Sequence, residues 1–95
     1  MTIPSPSDVR QNVESSRFEL EVEGHTAIAA YTLAGNVITF THTEVPKDLG
    51  GKGVGSVLAQ GALDQVRAQN LRVIARCPFI AAYIQKHTAY QDLLV

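Results

Sequence analysis

The stretch DLGGKGVGSVLAQGALDQV, residues 48–66, decides how the chain is read. Gly50, Gly51, Gly53 and Gly55 fall within six positions, with Lys52 among them. Glycine loses more conformational freedom on folding than any other residue, so such a run marks a tight turn or a backbone that something approaches closely. Directly after it the apolar period becomes helical. Val54, Leu58, Ala62 and Val66 recur every four residues, flanked by Val57 and Leu63. That stripe predicts a helix to about Gln69, with Asn70 as its terminator. A loop feeding a helix start presents unpaired N–H groups and the positive end of the helix dipole. The combination binds anions, phosphate above all. The plainer reading is a tight turn and nothing more.

Upstream, the pattern has the strand period of two. In RFELEVEG, Phe18, Leu20 and Val22 alternate with Glu19, Glu21 and Glu23, as in a half-buried strand. Gly24 and His25 read as a turn. The segment TAIAAYTLAGNVITFTHTEV holds two further strands, separated by a hairpin turn at Ala34, Gly35 and Asn36. Pro46 ends the third strand, because proline cannot donate to a ladder. Downstream, LRVIA is short and branched and reads as a buried strand. Pro78 then opens a second helix over PFIAAYIQKH, where proline at the first position loses no needed hydrogen bond. The expected fold is an α/β (α+β) domain in the order β-β-β-α-β-α, a mixed, largely antiparallel sheet with two helices. Residues 1–15, rich in Ser and Pro, are expected to form a flexible arm, and residues 16–95 a single domain.

Composition narrows the function classes. The 95 residues are 45% hydrophobic and 18% charged, with eight basic against nine acidic side chains. That balance gives no electrostatic case for nucleic acid or an anionic membrane. A single cysteine, Cys77, allows no intrachain disulfide. With no secretory leader and no membrane-length apolar run in view, a cytoplasmic location is expected. No His/Cys/Asp/Glu grouping has metal-ligand spacing, and His25 and His87 read as turn and helix-end residues. An open sheet edge leaves a monomer or a weak homodimer as the expected state.

Three phosphate-loop patterns can be set against residues 46–56. A Walker A loop fails, because Gly53 follows Lys52 where Ser or Thr is needed and Pro46 stands in place of glycine. A dinucleotide fingerprint fails at Ser56 and lacks the parallel strand it needs. The third is [QR]-x-x-G-x-[GA], the pyrophosphate loop of the GNAT superfamily of N-acetyltransferases. Gly53 and Gly55 match it, and Gly50 stands where Gln or Arg is expected. HTEVPKDLGGKGVGSVLAQGAL followed by RVIARCPFIAAYIQKHTAYQDLL resembles the compact single-domain GNAT-like proteins, over roughly residues 17–94. The resemblance implies a GNAT-type fold reduced to its cofactor-binding half, with acetyl-coenzyme A as the ligand. It implies a reaction site lined by His42 and Cys77, with Val45, Gly50, Gly51, Lys52, Gly53, Val54, Gly55 and Ser56 around the coenzyme. A tyrosine in the region of Tyr83 serves many such enzymes beside the leaving thiolate, so Tyr83 joins the set. The acceptor, a small amine or a protein, is left open. A coenzyme A-binding or protein-interaction module without catalysis is the alternative.

The residues themselves carry two readings each. Cys77 is either a small buried hydrophobe or, at the N-cap before Pro78 and next to Arg76, an accessible thiol with acidic character. His42 is expected to share a face with Ile38, Phe40 and Glu44, either hydrogen-bonded at the sheet margin or acting as a general base. Glu44 could take that role, orient His42, or stay solvated. Lys52, helped by Lys47, is expected to supply the charge that position 50 lacks.

Overall fold

The computed structural model describes residues 4–50 and 53–95. Five strands form one sheet in the order β1-β2-β3-β4-β5. They are β1 (Arg10–Asn12), β2 (Arg17–Val22), β3 (His25–Ala34), β4 (Val37–Glu44) and β5 (Arg72–Ala75). β1 to β4 are an antiparallel meander, and β5 joins β4 in parallel after the crossover helix α1 (Val54–Ala68). The second helix is α2 (Pro78–Lys86), and a 3-10 segment, Thr88–Leu93, follows it. Among the described residues, no helix is long and apolar enough to cross a membrane.

Each junction follows from local chemistry. The β3–β4 hairpin turns at Gly35, which takes a positive φ of 60°. α1 ends where Asn70 adopts φ 60°, with Asn70 N–H donating to Arg67 O and Leu71 N–H to Val66 O. That pair of bonds is a Schellman cap, with asparagine in the place glycine usually fills. Leu71 then packs on the core close to the end of the helix.

All the helical mass lies on one side of the sheet. Phe18, Leu20, Ala27, Ala29, Ile38 and Phe40 point inward, fully buried, against Leu58, Ala59, Ala62 and Leu63 of α1. Burying one such aliphatic or aromatic side chain contributes about 1.5–3 kcal/mol. Arg67 and Asp92 form a two-pronged ion pair at 2.9 and 2.8 Å, and the Tyr90 hydroxyl donates to Asp64 at 2.7 Å. These contacts clasp the 3-10 segment onto α1. The opposite face of the sheet, with Glu21, Thr26, Ile28 and Ala30, is exposed or half-buried.

Two expectations are corrected here. The first concerns the supposed arm. Residues 5–12 are built into the fold: Ser5 and Asp8 cap a short 3-10 turn, Val9 is buried, and β1 pairs with β2. Gln65 of α1 donates to Val9 O at 2.7 Å, and Gln11 donates to the Tyr31 hydroxyl at 2.9 Å. The sheet thus has one strand more than expected. The second concerns the face of β4. Tyr31 pairs with Phe40 but Ala30 pairs with His42, so Thr41 is an extra residue, a β-bulge. The bulge shifts the alternation by one. His42 therefore leaves the face of Ile38 and Phe40 for the open face.

Candidate functional site

The glycine loop begins where β4 ends. A 3-10 turn, Lys47–Leu49, buries Leu49 and delivers the chain to Gly50. Gly51 and Lys52, both expected to meet the coenzyme, lie outside the described residues. Gly53 resumes the chain at φ 72° as the N-cap of α1, with no side-chain cap. Only glycine adopts that left-handed geometry freely, and among the described residues no side chain caps the first N–H groups of the helix. Val45, Gly50, Gly53, Val54, Gly55 and Ser56 meet around one open cleft of about 250 Å³. Val54 buries its side chain, so it faces the cleft through its backbone.

Phe79 of α2 forms the opposite wall of that cleft. A Cβ on Gly55 would stand 2.6 Å from the tip of the Phe79 ring, so a side chain there would make that exposed ring shift. A second cleft of about 260 Å³ shares Ser56 and Phe79 and extends past Tyr83 to Lys86 and His87. Sequence reading missed Phe79. The signal was an aromatic next to the Cys-Pro pair, whose partner in the glycine loop only the fold reveals.

β5 accompanies β4 only as far as the pair of Phe40 with Ala75. There the Arg76 and Cys77 N–H groups both donate to Phe40 O, at 3.0 and 2.9 Å, and the chain turns into α2. Past this point β4 continues without β5 beside it, and the two strand ends part next to the loop.

Side chains on either side of this parting differ in character. Thr43 faces the helices, with its hydroxyl 3.1 Å from the Cys77 Sγ. His42 and Glu44 face the open side, with Nε2 and Oε1 3.0 Å apart. His42 and Cys77 thus lie on opposite sides of β4. Cys77 is 3% exposed, which corrects the expectation of an accessible thiol. Its N–H is pinned to Phe40 O, Thr43 covers its sulfur, and Ile80 and Ile84 pull the start of α2 into the core.

Residues 17–93 match the family model described as GCN5-related N-acetyl-transferase. The chain belongs to the GCN5-related N-acetyltransferase family. It is 29% identical to Protein NATD1 of Mus musculus over 91 residues, covering 93% of this chain and 83% of the relative. The human Protein NATD1 is likewise 29% identical, with 80% of its length covered. The NMR solution structure of a GCN5-like protein from Staphylococcus aureus superposes with a TM-score of 0.70 at 30% identity. That match covers 97% of this chain and 91% of the other. Within this N-acetyltransferase domain, Tyr83 is nearly buried and stacks on His87 with ring centroids 3.9 Å apart. Burial, and then the charge of Asp64, push its hydroxyl above the ordinary tyrosine range, so the phenol keeps its proton at neutral pH. His25 lies 3.3 Å from Asp48, and His87 caps α2 through Tyr83 O. Among the described residues, no group of His, Cys, Asp and Glu is arranged to hold a metal ion.

Proposed function

We propose that the protein transfers an acetyl group from acetyl-coenzyme A to an amine. The observation that carries this reading is the N-terminus of α1, without a side-chain cap among the described residues, beside the parting of β4 and β5. N–H groups of residues 53–56 suit a pyrophosphate, with Lys52 and Lys47 adding positive charge. The edge of β4 that β5 does not accompany past Phe40 suits the amide groups of the pantetheine arm, which needs backbone partners. The second cleft, with Phe79 and Lys86, suits an extended phosphorylated ligand continuing from the loop.

Chemistry then falls at the strand parting. The acceptor nitrogen attacks the thioester carbonyl, the C–N bond forms, the C–S bond breaks, and the thiolate leaves to take up a proton. His42, on the open face, accepts the proton lost by the amine. The buried Cys77 favours direct transfer over an acetyl-cysteine intermediate. A second reading, coenzyme A binding without catalysis, draws on one feature: His42 is 58% exposed, so its site is not shielded from water. Equilibrium binding of coenzyme A, run beside acetyl transfer over a panel of amines, separates the two. Binding with transfer supports the enzyme, binding alone supports the second reading, and no binding overturns both.

A further inference from the structure

We infer that Glu44 is a positioning residue that fixes which nitrogen of His42 acts, an inference that rests on the reading of His42 as the base. The bulge at Thr41 brings the two side chains to one face, where His42 Nε2 and Glu44 Oε1 stand 3.0 Å apart. A carboxylate oxygen accepts and does not donate, so Nε2 carries the hydrogen and Nδ1 keeps its lone pair. Nδ1 is therefore the atom that takes the proton. On β3, Ala30 lies opposite His42 and Ile28 opposite Glu44, and neither titrates. Beyond them on β2, Arg17 and Glu19 are paired with each other at 2.6 Å, and Arg10 of β1 lies opposite Glu19.

The test uses the full chain and nitrogen-detected NMR of the neutral His42 ring, with Glu44→Ala and Glu44→Gln as variants. Both residues are exposed, so the variants keep the core intact, which the amide spectrum checks. Wild type is expected to show one tautomer, Nε2 protonated and Nδ1 bare. Glu44→Ala should relax to the tautomer mixture of a free imidazole. Glu44→Gln should also lose the single form, because its NH2 can donate to a bare Nε2 where a carboxylate can only accept. In the transfer assay, Glu44→Ala should lower kcat about two- to fivefold, the effect an exposed pair supports, with KM for acetyl-coenzyme A unchanged. Glu44→Gln should lower kcat at least as far, because the isosteric amide does not hold the tautomer. An unchanged ring signal in Glu44→Ala, together with an inactive His42→Ala, would overturn the role of Glu44 alone. Full activity in His42→Ala would instead overturn the base reading itself.

Discussion

Gly53 holds the site open in two ways. Its φ of 72° turns the loop into α1, and it places no side chain of its own over the first helical N–H groups. Valine at this position would be strained by roughly 1–3 kcal/mol and would set a branched side chain over those groups. Gly53→Val is expected to fold, with a lowered melting temperature, and to lose coenzyme A binding by at least about tenfold, a loss of ~1.4 kcal/mol. Calorimetric titration reads this directly, and wild-type affinity in a folded variant would refute the phosphate role of the loop. Cys77 yields the opposite kind of expectation. With 3% exposure and Thr43 on its sulfur, it should alkylate slowly in the native protein and rapidly in denaturant. Mixing with acetyl-coenzyme A should leave no acetyl adduct by mass spectrometry. Fast native alkylation, or an adduct, would return Cys77 to the reaction path.

α1 is the element on which both chain ends are fastened. At one place Gly61 lets Pro6 O and Val9 come against the helix axis, and an added Cβ would collide with both. Gly61→Ala should therefore push residues 5–12 off the helix. The overpacking is worth about 1–3 kcal/mol, visible as faster amide exchange in β1 before any change in β3 or β4. At another place, the Arg67 hydrogen bond holds the Asp92 carboxyl below the ordinary aspartate range. A depressed carboxyl pKa adds stability above the unfolded value and loses it as pH falls through the folded one. Acidification through the carboxylate range should thus loosen the 3-10 segment slightly, and Arg67→Ala, which also removes the bond to Ala89 O, should loosen it at neutral pH. Amide exchange at residues 88–93 checks both. The period of α1, its Asn70 stop and the turn at Gly35 were legible in the sequence because each is a local signal. β1 was not, since its three residues carry no apolar alternation and only the neighbouring Val9 is buried. The bulge was equally silent. Thr41, His42, Thr43 and Glu44 are all polar, so a slip of one residue changes no visible pattern, yet it moved His42 to the other face and away from Cys77.

The sheet is covered on one side only, and the proposed ligand path runs along its seam, from the start of α1 to the parting of β4 and β5. A chain of 95 residues has little surplus stability, typically about 5–15 kcal/mol for a domain, so a ligand that bridges several elements should register strongly. At a concentration of about 100 times its Kd, a ligand that binds only the folded state adds roughly 2.7 kcal/mol. For a domain of this size each kcal/mol raises the melting temperature by about 4–8 °C. Coenzyme A at that concentration is thus expected to raise Tm by roughly 10–20 °C. The same addition should leave Gly53→Val almost unmoved, because that variant loses the phosphate cradle and not the core. His42→Ala should show the full wild-type shift, since His42 lies on the open face and serves the acceptor. Differential scanning fluorimetry with coenzyme A on the three proteins reads all of this in one experiment. No shift in wild type would remove coenzyme A as the ligand. A full shift in Gly53→Val would place the binding somewhere other than the glycine loop. A shift lost in His42→Ala would put His42 in the coenzyme site instead of the acceptor side.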